Sequence, residues 1–77
     1  MPVSAYILIQ TQVGRTDVVR QIAAIDGVTL AEVVNGPYDL IVRIEAETLD
    51  DLGRTVVGQV QTAGGIRSTV TCPVVHL

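Results

Sequence analysis

Asn35-Gly36-Pro37-Tyr38-Asp39 separates two stretches that are rich in β-branched and other apolar residues. Residues 29–34 precede it, and residues 38–46 follow it with the sequence Tyr-Asp-Leu-Ile-Val-Arg-Ile-Glu-Ala. We expect Gly36 to supply unusual backbone angles, Pro37 to fix one torsion, and the Asn and Asp side chains to bond the local backbone. Two strands joined by so short a turn form a β-hairpin.

Upstream of this hairpin, the pattern predicts a strand and then a helix. Residues 3–13 alternate, with Tyr6 and Leu8 on the side opposite to the apolar residues Val3, Ala5, Ile7 and Ile9. Thr16 and Asp17 are suited to the start of a helix, as its cap and its first acidic residue. Its predicted buried stripe comprises Val18, Val19, Ile22, Ala23 and Ile25. Asp26-Gly27 is expected to end it.

Downstream, a second helix and a last strand are predicted. Thr48, with a carboxylate three residues later at Asp51, resembles a capping box. The spacing of four apolar residues then indicates one helical face: Leu49, Leu52, Val56 and Val60. Gly64-Gly65 is expected to stop this helix. The last strand runs from Ile66 to about Val75 and should lie at a sheet edge, because Pro73 lacks an amide proton.

The resulting order, βαββαβ, predicts an α+β fold of the ferredoxin-like type, a four-stranded antiparallel sheet with two helices on one face. We expect these residues to face the helices: Ile7, Ile9, Leu40, Val42, Ile44, Val70, Cys72 and Val74. The opposite face should carry Tyr6, Leu8, Gln10, Ile41, Arg43, Glu45, Thr69 and Thr71. That mixture of apolar centre and polar margin is typical of a dimer interface between two sheets.

Composition favours self-association and argues against several partners. The chain has 77 residues, is 48% hydrophobic and carries a net charge of −3. A domain of this size buries only about 60% of its unfolded surface, so we expect a partner chain. The cationic side chains are five Arg, too few for a nucleic-acid or anionic membrane footprint. Neither a membrane-spanning run nor a signal peptide is evident, which makes the cytoplasm the expected location.

The sequence offers no set of residues with the spacing of a catalytic or metal site. One Cys and one His do not make a tetrahedral ligand set, so we expect neither metal nor cofactor. Cys72 is predicted to be an inert core residue, and His76 a surface residue. Asp50 and Asp51 point in different directions on a helix, and Asp50 is placed to pair with Arg54. A binding role rather than an enzyme is therefore expected.

Two places are candidates for binding a small molecule. In the hairpin loop, Gly36 leaves backbone groups approachable, and Asp39 offers a carboxylate to an ammonium or hydroxyl group. A simple turn in which Asp39 caps its own loop explains the same residues equally well. In the last strand, Thr69 and Thr71 place two hydroxyls on one face about 7 Å apart. Solvent-exposed β-branched residues are the simpler explanation there.

At these residues the chain resembles the stand-alone effector-binding domain, or RAM domain, of the Lrp/AsnC family of feast/famine regulators. The resemblance covers essentially all 77 residues. Gly36-Pro37-Tyr38-Asp39 and the apolar strand after it resemble the family's Gly-x-Tyr-Asp loop. Residues 64–71 resemble its Gly-Val-x-x-Thr-x-Thr entry to the final strand. The spacing of both motifs within the complete βαββαβ order strengthens the match.

The resemblance implies an effector-binding and oligomerisation domain whose ligand is an amino acid or a similar small molecule. It places these residues at the ligand site: Asn35, Gly36, Tyr38, Asp39, Thr69 and Thr71. The family pattern does not fix the residue at position 35, and Asn35 is included because it is next to Gly36 in the sequence. The resemblance also implies homodimers that pair their sheets and assemble into octamers or similar rings, with effectors between neighbouring dimers.

Full-length members of this family carry an N-terminal helix-turn-helix domain, whereas a strand is predicted here from Val3. We therefore expect residues 1–77 to be a single RAM domain that does not bind DNA directly. Joining full-length Lrp/AsnC regulators in a mixed assembly is a hypothesis for how it would act.

Three other families share the predicted order. Small dimeric α+β barrel enzymes, resembling monooxygenases or isomerases, usually need polar groups converging inside one sheet, and Tyr6 and Arg43 offer little of this. An ACT-type amino-acid sensor would carry a glycine-rich contact after the first strand, where Gly14-Arg15 is a thin match. An RNA-recognition domain would need stacking aromatic residues, and the chain has two Tyr without Phe or Trp.

Overall fold

The computed structural model describes residues 2–15 and 17–77; Thr16, predicted as a helix cap, lies outside them. Within the described residues the elements follow in this order: β1 (Val3–Thr11), α1 (Val18–Ala23), β2 (Val28–Val33), β3 (Leu40–Ala46), a second helix α2, and β4 (Ile66–Pro73). The helix α2 consists of an α-helical turn Leu49–Asp51, a π-helical stretch Leu52–Val57 and an α-helical turn Gly58–Gln61. The predicted βαββαβ order is confirmed.

The strands form one antiparallel sheet in the order β2-β3-β1-β4, so β1 and β3 are central and β2 and β4 are edges. Ile9 pairs with Leu40 of β3 on one side and with Thr69 of β4 on the other. The predicted hairpin of β2 and β3 is present, and Val33 pairs with Leu40 at its base. This is the ferredoxin-like arrangement, and β4 is an edge strand as Pro73 predicts.

One face of the sheet packs against both helices and forms the core. The buried apolar residues of the described chain come from β1, β3 and the helices: Ala5, Ile7, Ile9, Val18, Ile22, Leu40, Val42, Ile44, Leu52, Val56 and Val60. Burying one Ile, Leu or Val side chain stabilises the fold by roughly 1.5–3 kcal/mol relative to leaving it in water. The helix-facing prediction is confirmed for β1 and β3, whose alternating apolar residues lie in this cluster.

The same prediction is wrong for β4. Thr69 and Thr71 pair with the core residues Ile9 and Ile7, and therefore lie on the helix side of the sheet. Val70 and Cys72 pair with Leu8 and Tyr6 on the opposite side. Cys72 is exposed there rather than packed in the core.

A β-bulge is the reason for this reversal. Thr11 pairs with Ile66 and Gln10 pairs with Ser68, so β4 has an extra residue, Arg67, where β1 has none. Such an insertion shifts every following side chain to the other face of the sheet. Regular alternation from Ile66 would have placed Val70 in the core.

The face opposite the helices, which we call the open face, has an apolar middle. Ile41, Leu8 and Val70 lie next to one another across β3, β1 and β4, and Glu32 of β2 pairs with Ile41. Leu30 of β2 pairs with Arg43 on the same face, and Leu30 and Val70 are 38% and 42% exposed. Polar groups flank this middle. At one end Arg43 lies 5.9 Å from the centre of the Tyr6 ring and 3.4 Å from a Glu45 carboxylate oxygen.

The start of α2 follows its sequence closely. The Thr48 hydroxyl accepts a hydrogen bond of 3.1 Å from the Asp51 amide, and Arg54 donates one of 2.7 Å to Asp50. Leu52, Val56 and Val60 are buried as predicted. Leu49 is 64% exposed, so its assignment to the buried face is wrong. The first turn of α2 is therefore held by its cap rather than by packing.

The helix α1 is short and buries a narrower stripe than predicted. Val18 and Ile22 are buried, Val19 and Ile25 are half-buried, and Ala23 is exposed. The turn after α1 contains Gly27, whose φ of +100° lies in the left-handed region. A Cβ atom at this position would lie 2.8 Å from Cγ2 of Val56 and 3.0 Å from the Glu45 carbonyl oxygen. Gly27 thus allows the turn after α1 to lie against both α2 and the end of β3.

We predict that Gly27→Ala lowers the free energy of unfolding by about 2–4 kcal/mol, because the strained φ and the contact with Val56 both oppose the methyl group. The matched control is Gly58→Ala in α2, where an added Cβ meets nothing within 4 Å. That change should raise stability by about 0.5–1 kcal/mol. Urea titrations at one fixed protein concentration measure both. Equal effects of the two substitutions would contradict this role of Gly27.

Candidate functional site

The hairpin loop, residues 34–39, lies at the end of the sheet where β1 finishes. Two backbone hydrogen bonds fix its base: the Val34 amide donates to the Asp39 carbonyl at 2.9 Å, and the Asp39 amide donates to the Ile9 carbonyl at 2.8 Å. Since Ile9 belongs to the central strand, the base of the loop is attached to the most buried part of the sheet.

The Asp39 carboxylate adds a second attachment. Its Oδ2 accepts hydrogen bonds from the Thr11 amide at 2.8 Å and from the Thr11 hydroxyl at 3.3 Å. Asp39 is half-buried, so these bonds stabilise the loop more than equivalent bonds in water would. The carboxylate therefore bonds a neighbouring strand, rather than capping its own turn as the simplest interpretation of the sequence held. Both hydrogen bonds from Thr11 are accepted by Oδ2.

A third attachment comes from Gln10. Its Nε2 donates to the Pro37 carbonyl at 3.0 Å, and its Oε1 accepts from the Ser68 hydroxyl at 2.7 Å. One side-chain amide thus joins the loop, β1 and β4. Sequence reasoning placed Gln10 on the open face but missed this role, as it missed Thr11 and Ser68. The available signal was a run of polar residues, Gln10 to Gln12, at the end of an apolar strand.

The tip of the loop is open to solvent. Asn35 and Gly36 are exposed, and Tyr38 is half-buried. Gly36 is not among the glycines with positive φ, so the expectation that it supplies unusual backbone angles is wrong. A Cβ atom at Gly36 would meet nothing within 4 Å. The fold therefore does not need glycine here, and the missing side chain leaves the loop backbone accessible from outside.

The two threonines of β4 lie apart from this loop. Thr69 is half-buried, and its hydroxyl is 3.5 Å from Nε2 of Gln61, whereas Thr71 is exposed. Thr69 is two strands away from Leu40, the residue after the loop, which corresponds to about 10 Å. Within one chain the structure groups Asn35, Gly36, Tyr38 and Asp39. It does not bring the threonine hydroxyls into contact with them.

A pocket of about 440 Å³ lies at the opposite end of the sheet. Its lining combines four acidic residues with small and apolar ones: Pro2, Asp26, Gly27, Glu45, Ala46, Glu47, Asp51 and Val56. Four carboxylates repel the carboxylate of an amino acid, and the chain is already acidic overall. This pocket is therefore a poor match for the ligand class that the sequence suggests.

The described residues also bear on a metal site and on a membrane span. Residues 2–15 and 17–77 contain no group of three or more His, Cys, Asp or Glu side chains arranged to hold a metal ion. Over the same residues, none of the helices combines the length and apolar character needed to cross a bilayer.

Comparison with known proteins identifies sequence relatives. The uncharacterized HTH-type transcriptional regulator PH1916 of Pyrococcus horikoshii is 32% identical over 72 residues, which cover 88% of this chain and 48% of that protein. The chain thus spans about half the length of this curated relative.

Solved structures share the fold. The crystal structure of FFRP-DM1 superposes with a TM-score of 0.87 at 35% identity and covers 95% of this chain and 99% of that one. A complex of the transcriptional regulator NMB0573 with L-Met, from Neisseria meningitidis, superposes with a TM-score of 0.82. Its identity is 13%, over 96% of this chain and 50% of that one, so it supports the fold alone.

The family match includes both candidate binding regions, the hairpin loop and the last strand β4. The sequence model described as the Lrp/AsnC ligand binding domain matches residues 4–76, from the first strand through the hairpin loop to the segment after β4. On this match, together with the 32% identity to a regulator, the chain belongs to the Lrp/AsnC ligand-binding domain family.

Proposed function

We propose that this chain binds an amino acid, or a similar small effector, at the hairpin loop and converts binding into a change of assembly. The proposal is supported by the difference between the base of the loop and its tip. Its base is fixed by Asp39 and by backbone bonds to β1, whereas its tip exposes backbone at Gly36, where the fold does not require glycine. A rigid base below an approachable backbone is suited to ligand contact.

The chemistry of the loop fits a zwitterion. Its ammonium group needs an acceptor, and its carboxylate needs donors. The Asp39 carboxylate provides negative charge, while the exposed backbone and the Asn35 amide provide donors. We propose that the hydroxyls of Thr69 and Thr71 contribute from a neighbouring subunit, since in the same chain Thr69 is two strands away from Leu40 and Thr71 lies farther from the loop along β4. A site shared between subunits makes ligand binding and assembly depend on each other.

Gly36→Ala tests the loop backbone. Because the site has room for a methyl group and an ordinary φ, the substitution should raise the free energy of unfolding by about 0.4–1 kcal/mol. The same methyl group should block ligand approach, so the rise in Tm caused by an effector should fall by at least half. The measurement is a thermal-shift screen with each of the twenty amino acids, L-methionine included. An undiminished ligand response in a stable Gly36→Ala variant would remove this residue from the site.

Asp39 is tested by two substitutions with different effects on Thr11. Asp39→Ala removes the acceptor for the Thr11 amide and should lower stability by about 1–3 kcal/mol. Asp39→Asn keeps an oxygen acceptor but loses the charge, so the fold should be nearly intact. Both variants should lose the ligand-induced rise in Tm while remaining dimers. If Asp39→Asn responds like the wild type, Asp39 positions the loop without contacting the effector.

Glu47→Gln is the matched control for Asp39→Asn. Glu47 is exposed and lines the acidic pocket at the far end of the sheet. Its neutralisation should leave the ligand response unchanged. A loss of response in Glu47→Gln, with Asp39→Asn unaffected, would place the site in that pocket instead.

We further propose that two chains associate through their open faces. In the described chain both helices cover one side of the sheet, which leaves Leu8, Ile41 and Val70 together on the other. The polar groups at either end of the face, Arg43 with Glu45 and Gln10 with Ser68, suit the rim of such an interface. A second copy supplies the same pattern and covers the apolar middle.

Leu8→Glu should disrupt this association, because it places a charge in the middle of the open face, where a partner sheet would desolvate it. Size-exclusion chromatography with light scattering should give the mass of one chain for this variant and at least twice that for the wild type. Leu49→Glu, which charges a leucine that is 64% exposed on α2, is the control and should remain associated. A monomeric wild type at all concentrations would contradict the proposed dimer.

Membership of the family supports a wider proposal. We propose that residues 1–77 act as one ligand-binding domain in the cytoplasm, without enzymatic activity or direct contact with nucleic acid. Assembly of dimers into octamers or similar rings, and co-assembly with full-length Lrp/AsnC regulators, would connect effector binding to transcription.

A further inference from the structure

The side chain of Gln10 occupies an unusual place, because it belongs both to the open face and to the hairpin loop. It follows Leu8 on the same side of β1 and pairs with Ser68 at the margin of that face. At the same time its Nε2 donates a hydrogen bond of 3.0 Å to the Pro37 carbonyl in the loop. Its Oε1 accepts from Ser68 at 2.7 Å, which fixes the orientation of the amide.

The Pro37 bond differs from the other attachments of the loop. Val34 and Asp39 fix the base, where the chain leaves β2 and enters β3. Among the hydrogen bonds of the described residues, the bond from Gln10 is the one that ties residues 35–38 to the sheet. The position of the loop tip therefore depends on a group that lies on the open face.

Exposure makes this bond sensitive to what covers the open face. Both bonds of Gln10 are exposed in a single chain, where water competes for donor and acceptor and the net stabilisation is small. A partner sheet over the face would shield the amide from water and strengthen both bonds. Covering the open face should then hold the Pro37 carbonyl, and with it the loop tip, more firmly.

We propose that Gln10 is a positioning residue that couples association through the open face to the conformation of the hairpin loop. The inference rests on the proposed function, in which that face pairs with a second copy and that loop receives the effector. Reciprocity follows from thermodynamics: if association favours the loop conformation bonded to Gln10, an effector that favours this conformation also favours association. An effector that displaces Pro37 weakens association by the same coupling.

The Gln10→Leu variant distinguishes the coupling between association and loop conformation from the strength of association itself. Leucine removes both hydrogen bonds but keeps a side chain of similar size and makes the open face more apolar, so association should be at least as tight as in the wild type. In the wild type, association should raise the NMR order parameters of the Gly36 and Tyr38 amides from below about 0.6 to about 0.8, because the strengthened bond to Pro37 restricts the motion of the loop tip. In Gln10→Leu this rise should disappear. Order parameters are measured above and below the dissociation constant obtained by analytical ultracentrifugation.

The matched control is Gln21→Leu, at an exposed glutamine of α1 on the other side of the sheet. It should retain the wild-type dependence of the loop order parameters on association. Circular dichroism spectra of all variants check that the fold is kept, and Gln10→Glu provides a second test. Glutamate cannot donate to the Pro37 carbonyl, so it too should lose the dependence.

Two results would overturn the coupling. One is a wild type whose loop order parameters do not change on association, and the other is a Gln10→Leu variant that keeps the wild-type dependence. These failures are distinct from failure of the proposed function. If the protein associates but none of the twenty amino acids raises its Tm, the effector assignment is lost while the NMR comparison still decides the role of Gln10. A protein that never associates overturns both.

Discussion

The central strand β1 carries apolar side chains on both of its faces, and the rest of the structure depends on how these two faces are covered. Ala5, Ile7 and Ile9 are fully buried against the helices, whereas Leu8 and Tyr6 lie on the open face. Covering both faces of such a strand stabilises the protein, because each apolar side chain left in water costs free energy. The two helices of the described chain cover one of them, and residues of β3 and β4 extend the apolar area of the other. A single chain therefore leaves part of its hydrophobic surface in water.

Much of the fold could be predicted because local sequence and overall topology agree. The alternation of β1 and β3, the turn signals at Gly27 and Gly65, and the cap at Thr48 each act over a few residues. The faces of β4 could not be predicted, because they depend on a bulge at Arg67 that only the pairing with β1 reveals. The exposure of Leu49 was also missed. Its spacing from Leu52 fits the buried face, but Leu49 belongs to the first turn of α2 and is 64% exposed.

In the candidate site, as in the fold, features set by neighbouring residues could be predicted, whereas contacts between residues far apart in sequence could not. The loop itself was found from its composition. Its attachments were not, because Gln10 and Thr11 contact residues that are 27 and 28 positions away in sequence. The two possible roles of Asp39, as a ligand contact and as a support for the loop, are also distinguishable only once Thr11 is seen beside it. Gly36 illustrates the opposite case, because its residue type indicated a special backbone conformation that the structure does not contain.

The bulge in β4 also bears on whether this edge of the sheet can pair with further strands. An edge strand with regular, unpaired backbone groups is a template for adding further strands in an indefinite series. β4 is irregular near its start, where Arg67 is inserted, and it ends at Pro73, which lacks an amide proton. Both features interrupt the row of groups that an added strand would need. Growth along this edge of the sheet is thereby discouraged.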